Sequence, residues 1–152
     1  MNDINEFLNK AVMAHESGDG LAFAIIDKTM MKTAGPTRFM KTDFPNKRTE
    51  IGFTFLGKSC QKTRINTEAK LLMLSHAFQT LKMNRVQFIT DYLNKSSKQA
   101  ILKLGAIEEG ILRNHMVMRD FGVRNSVLYS IIESEWPGIK KHLTHKISLT
   151  LQ

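Results

Sequence analysis

The stretch Gln61-Lys62-Thr63-Arg64-Ile65-Asn66-Thr67-Glu68 places a polar, basic loop directly before an apolar-periodic run. That is an arrangement able to hold an anion. The first turn of a helix leaves amide N–H groups unpaired, and with the helix dipole they attract phosphate, by about 0.3 to 1 kcal/mol and up to roughly 2 kcal/mol where partly buried. Read as residues alone, the loop is equally a basic surface turn. Asn94 and Ser97 open a second, shorter helical run, where an amide and a hydroxyl bond a ligand or merely cap the helix. Glu50, on a strand upstream of the loop, is either a proton acceptor or half of a surface salt bridge with Lys47 or Arg48. Metal chemistry finds no support, because the five histidines lack ligand spacing with cysteines or acids. Cys60 lies beside the loop with no His and carboxylate pattern to activate it.

These residues need elements to position them. Glu50 to Leu56 reads as a strand, the loop ends at Asn66, Thr67 to about Met83 reads as a long amphipathic helix, and Arg85 to Thr90 as a second strand before a turn closing at Asn94. A β-α-β order requires a right-handed crossover, which leaves the helix N-terminus at the carboxyl end of the first strand. In the helix, Glu68, Ser75, Gln79 and Lys82 form a narrow polar stripe, and the wide apolar remainder predicts heavy burial on the sheet. Upstream, the spacing of Ile4, Phe7, Leu8 and Ala11 predicts a helix from Asp3 to Ala14. A buried strand at Leu21 to Asp27 and another near Thr37 to Thr42 then form an antiparallel meander into the parallel unit. Downstream, a helix from Ser96 to Leu104 stops at Gly105, a residue suited to a left-handed C-terminal turn. Ile107 to Met118 and Asn125 to Ile132 read as a hairpin joined through Asp120-Phe121-Gly122. Pro137 sits in the first turn of a last short helix, and residues after Leu143 carry little pattern.

Glu50-Ile51-Gly52-Phe53, the run Gln61 to Lys70, Thr90 to Ser97 and Lys103-Leu104-Gly105-Ala106 together resemble the GNAT superfamily of acyl-CoA-dependent N-acetyltransferases. Within it they most resemble the branch containing the ribosomal-protein N-terminal alanine and serine acetyltransferases, over about Phe23 to Leu143. The resemblance implies a mixed α/β fold, a mostly antiparallel central sheet with a parallel β-α-β cofactor-binding core. Residues 1–152 would form one such domain, without the family's usual first strand and helix. It implies acetyl-CoA as cosubstrate, no metal, and direct acetyl transfer to a primary amine, either a small molecule or a protein N-terminus such as that of a ribosomal protein. By the same resemblance Gln61, Lys62, Thr63, Arg64, Ile65, Asn66 and Thr67 hold the pyrophosphate and Asn94 the pantetheine. The resemblance likewise implies that Ser97 would protonate the departing thiolate and that Glu50, eleven residues before Gln61, would deprotonate the amine directly or through water. The sequence departs from the family pattern Gln/Arg-x-x-Gly-x-Gly/Ala, since Arg64 and Asn66 occupy the glycine positions. A left-handed Arg64 would cost about 1 to 2 kcal/mol, whereas Asn66 is a good N-cap. Ile101 stands where many members carry a tyrosine. A sheet lacking its first strand leaves an edge on which a second copy can pair, so a homodimer is one expectation and a non-catalytic acyl-CoA-binding remnant is the alternative function.

Composition narrows the setting. At 152 residues with 42% apolar and 24% charged residues, the chain can bury a core without disulfides, and a single cysteine forms no internal pair. With no long apolar run and no signal-like N-terminus, a cytoplasmic protein without a membrane partner is expected. The net charge of +8 is scattered rather than clustered, which favours attraction of a phosphorylated cofactor over direct nucleic-acid binding.

Overall fold

The computed structural model describes residues 2–118 and 121–149. The chain runs α1 (Asn2–Glu16), β1 (Leu21–Asp27), β2 (Lys32–Asp43), β3 (Arg48–Gly52), α2 (Ile65–Ser75), β4 (Arg85–Asp91), α3 (Lys95–Leu102), β5 (Ile107–Val117), β6 (Val123–Ile132) and α4 (Trp136–Leu149). Among the described residues six strands form one sheet in the order β1-β2-β3-β4-β6-β5. Of these strands only β3 and β4 pair in parallel, and the other four neighbouring pairs are antiparallel. This is the mixed α/β architecture anticipated, a meander feeding a β-α-β crossover and closing on a hairpin.

Alternation builds the core. Along β4, Val86, Phe88 and Thr90 are buried while Arg85, Gln87, Ile89 and Asp91 face the other side, the period of two that a strand imposes. Val86 and Phe88 join Leu74 and Phe78 from the α2 region, Ile101 and Leu104 from the α3 region, Tyr129 and Ile131 from β6, and Trp136 and Leu143 from α4 in one continuous cluster. Phe78 stacks on Trp136 with ring centroids 5.4 Å apart. Truncating a fully buried leucine such as Leu74 costs about 2 to 5 kcal/mol. The opposite face carries α1, whose Phe7 rests on the Arg38 guanidinium, 4.0 Å from its ring; Phe53 contacts the same group at 4.7 Å.

Several expectations need correction. The long helix starts earlier, at Ile65, and loses α geometry after Ser75 in a π turn over His76–Thr80. Leu81 N–H then bonds His76 O, Lys82 takes φ 54°, and the reversal buries Met83. Its burial is one-sided, since Leu72 is 72% exposed. β1 has the expected bounds but is an edge strand in which only Ile25 is buried. β3 stops at Gly52 because Phe53 adopts φ 48°. α4 is longer than the short helix expected and continues past Leu143 to Leu149, although the sequence carries little pattern there. Gly105 follows α3 at φ 93°, the conformation expected of it. The hairpin is closed by the Met118 N–H to Gly122 O bond, while Asp120 lies outside the described residues. Among the described residues no helix is long and apolar enough to cross a membrane.

Candidate active site

The parallel pairing of β3 with β4 covers Arg48–Arg85, Thr49–Val86 and Glu50–Gln87, and then ends. β4 continues to Asp91 along β6, whereas the chain after Gly52 turns away from it. Phe53 in a left-handed conformation resets the side-chain alternation, so Phe53 packs with Phe7 and Arg38 while Thr54 turns toward α2. Residues 53–57 stay on β2 through Phe55 N–H to Pro36 O and Gly57 N–H to Ala34 O, at 3.3 and 2.9 Å. A side chain at Gly35 would prevent this, because its Cβ would lie 1.8 Å from Phe55 O. The result is a wedge between two diverging strands.

The loop that follows borders the wedge. A 3-10 turn, Lys58–Cys60, leads to Gln61, whose Nε2 donates to Leu56 O at 2.9 Å. Thr63 Oγ1 donates to Cys60 O at 2.7 Å and accepts from Ile65 N–H at 3.3 Å. The strained position is Lys62, with φ 59°, while Arg64 has ordinary helical angles of −67° and −18°. The cost foreseen for Arg64 therefore does not arise there. Asn66 is not the N-cap; it sits in the first turn of α2, after Arg64. The amides of Asn66 and Thr67 have no protein partner among the described residues, the condition for an anion site. Lys62, Thr63, Arg64 and Thr67 line a shallow cavity of about 160 Å³ together with Lys146 and Ile147 of α4. A larger hollow of about 450 Å³ is lined by α4 alone and shares no residue with the loop. Arg64 leans on Glu68 at 3.2 Å, an exposed pair.

On the other side of the wedge, Asn94 caps α3 at the carboxyl end of β4. Its Oδ1 accepts from Ser97 N–H and Ser96 Oγ, both at 2.9 Å, so the capping reading holds for its oxygen. Ser97 is half-buried in the same turn. Glu50 points to the face opposite the helical core and is 5% exposed. Its Oε2 accepts from Lys41 Nζ and Gln87 Nε2, each at 3.1 Å. The anticipated partners Lys47 and Arg48 do not reach it; Arg48 binds Asp43. The reason is a bulge in β2, where Lys41 at φ 49° swings toward Glu50. Further along that face Arg85 grips Glu109 at 2.5 and 2.6 Å, and with Ser130 holds its carboxyl down to about 2. Within the core, burial, followed by its bond to Glu108, pushes the Tyr129 hydroxyl up to about 12.

Sequence reasoning missed Lys41, Gln87, Lys70 and Lys146. Lys70 sits on the α2 motif but is hidden by the strength of that motif, and Lys146 by the weak pattern of the chain end. Among the described residues no three His, Cys, Asp or Glu side chains gather as metal ligands.

A wedge at the end of a parallel strand pair, facing an anion-ready helix start, is a feature that comparison with known proteins can test. The family model described as "Acetyltransferase (GNAT) domain" matches residues 1–107. The chain belongs to the GNAT acetyltransferase family. The GNAT fold is also that of a crystal structure of a GCN5-related N-acetyltransferase from Brucella melitensis, with a TM-score of 0.86 at 32% identity over 95% of this chain and 63% of that one. "Putative ribosomal N-acetyltransferase YdaF" of Bacillus subtilis (strain 168) is 30% identical over 64% of this chain. The matched region spans 52% of that relative's length, about half. "Uncharacterized N-acetyltransferase p20" of Bacillus licheniformis is 26% identical over 80% of this chain and 67% of its own.

Proposed function

We propose that this GNAT chain is an acetyl-CoA-dependent N-acetyltransferase that passes the acetyl group directly to a primary amine. The observation that carries the reading is the wedge opening immediately beyond the Glu50–Gln87 pair, with a buried carboxylate at its closed end and free amides at the start of α2. Acetyl-CoA supplies an activated thioester. The unpaired amides of Asn66 and Thr67 with the cations Lys62, Arg64 and Lys146 fit its pyrophosphate. Gln61 fixes the loop through Leu56 O, and Thr63 and Ile65 brace its exit into the helix. The amide of Asn94 serves the pantetheine. Ser97 stands at the start of α3 as the proton donor to the thiolate.

Glu50 takes the proton from the incoming amine, with Lys41 and Gln87 holding its carboxylate in one orientation. In this scheme positioning supplies most of the acceleration, so loss of Glu50 slows turnover without abolishing cosubstrate binding. The acceptor is an amine of a peptide N-terminus or a small molecule, and the ribosomal name of the B. subtilis relative makes ribosomal-protein N-termini the first peptides to try. The test is thiol release from acetyl-CoA over a panel of such amines with the wild type and Glu50→Gln. A fall of about 100- to 10,000-fold in kcat with little change in acetyl-CoA affinity is expected. Tight acetyl-CoA binding with no turnover on any amine would replace the enzyme by an acyl-CoA-binding remnant.

A further inference from the structure

Lys70 lies in α2, one turn past Asn66, and points at the sheet. It is 5% exposed, and its Nζ donates to Thr54 Oγ1 at 2.6 Å and to Thr37 Oγ1 at 3.0 Å. The two hydroxyls are 2.9 Å apart, and Met73 Sδ closes the nest 3.4 Å from Thr37 Oγ1. No carboxylate among the described residues is within ion-pair distance of it. On the elements packed around it, Glu68 of α2 is engaged by Arg64, Glu50 of β3 faces the other side of the sheet with Lys41, and Arg38 of β2 faces that side with Phe7. Burial without a counter-charge pushes the ammonium down to about 7. One turn earlier on the same helix face, Asn66 carries a buried Oδ1 with no partner among the described residues.

A methionine would fill this volume without desolvating an amine, so the fold alone gives no reason for lysine here. What the amine does hold is Thr54, the residue at which the chain has left β4. The wall of the wedge is therefore fastened to α2 by this side chain, about 6 Å along the helix from the amides that open the anion site. Negative charge at those amides is the counter-charge that Lys70 lacks.

We propose that Lys70 is a positioning residue of the acyl-CoA site: its Nζ pins Thr54 to α2, fixing one wall of the wedge, and the polyanionic cosubstrate binds with net uptake of solvent protons, at most about half a proton per molecule, onto this amine. The inference rests on the acyl-CoA reading above. It requires no group transfer, only a proton moving from solvent to the lone pair of Nζ.

The test follows the lysine Cε resonances of the full-length protein, labelled with 13C-lysine, from pH 5.5 to 9.5 with and without saturating coenzyme A. A midpoint near 7 that is absent in Lys70→Met is expected for the free protein, rising by about one pH unit when coenzyme A is bound. Thr54→Val is expected to weaken coenzyme A about tenfold, and the wild-type affinity to fall between about pH 7 and 8 more steeply than that of Lys70→Met. Coenzyme A that binds while the Lys70 midpoint stays fixed overturns the proposal and leaves the acyl-CoA reading intact. Identical pH dependence of affinity in wild type and Lys70→Met does the same. Failure of the wild type to bind coenzyme A at any pH overturns both. The wild-type titration decides the matter even where a variant does not fold.

Discussion

Gly35→Ala is the substitution that most directly tests how the wedge is made. Gly35 has φ 151°, a region only glycine occupies without strain, and a Cβ there would lie 1.8 Å from Phe55 O and 2.9 Å from its carbonyl carbon. Both obstacles are backbone, so no side chain can yield; residues 53–57 must move off β2 by more than an ångström. The backbone strain costs about 1 to 3 kcal/mol, and the two bonds from Phe55 and Gly57 to β2 contribute about 1 kcal/mol each. The expected loss is about 3 to 5 kcal/mol, or a fall of roughly 10 °C in Tm for a chain of this size. Thermal unfolding with and without acetyl-CoA reads both effects: a lower Tm, and a smaller ligand-induced shift because Thr54 has left its position. Gly57→Ala is the control, since its Cβ would meet nothing nearer than Ala34 O at 3.8 Å and its φ of −55° suits alanine. A Gly35→Ala protein within 1 °C of wild type, with an unchanged acetyl-CoA shift, would refute this origin of the wedge.

Three further outcomes are expected. Replacing Lys70 by Met stabilises the protein below about pH 7, where the buried amine is charged in both folded and unfolded chains; the advantage shrinks as pH rises from 7 toward 10.5, because only the unfolded lysine still holds its proton. Urea titrations at pH 6 and 9.5 check this, and destabilisation at pH 6 would contradict it. Glu109, held near 2 chiefly by Arg85 and then by Ser130, adds stability that is complete above about pH 4.5 and lost as pH falls toward 2. With 35% of its side chain exposed, Glu109→Gln should cost about 1 kcal/mol at pH 7 and almost nothing at pH 2.5, as denaturant midpoints would reveal. Arg64→Ala and Lys146→Ala should each weaken acetyl-CoA several-fold at low salt and by less at 0.5 M, in calorimetric titrations; equal losses at both salts would mean that neither meets a phosphate.

Patterns short in sequence were legible because local forces fix them. The apolar period of α1, the alternation of β4, the turn at Gly105 and the β-α-β order each follow from residues within a few positions of one another. The strand carrying Glu50 and the loop before α2 could be placed for the same reason. What the sequence did not reveal are partners brought from afar. Lys41 reaches Glu50 through a bulge nine residues away, and Gln87 through the parallel pairing. Lys146 comes to the loop from the last helix. A lysine within a recognised motif gives no local sign that the sheet will bury it.

The sequence by itself therefore determined the element order, the presence of a helix start just after the Gln61 loop, though not its first residue, and the family to which the chain belongs, since hydrogen-bond geometry and periodicity act along the chain. Only the tertiary structure decided where the strained backbone falls, at Lys62 and Phe53 instead of Arg64, and which charges meet. The reason is that strain and desolvation depend on what packs against a residue, and for Thr54, Thr37 and Lys70 those neighbours lie 16 and 33 residues apart in sequence.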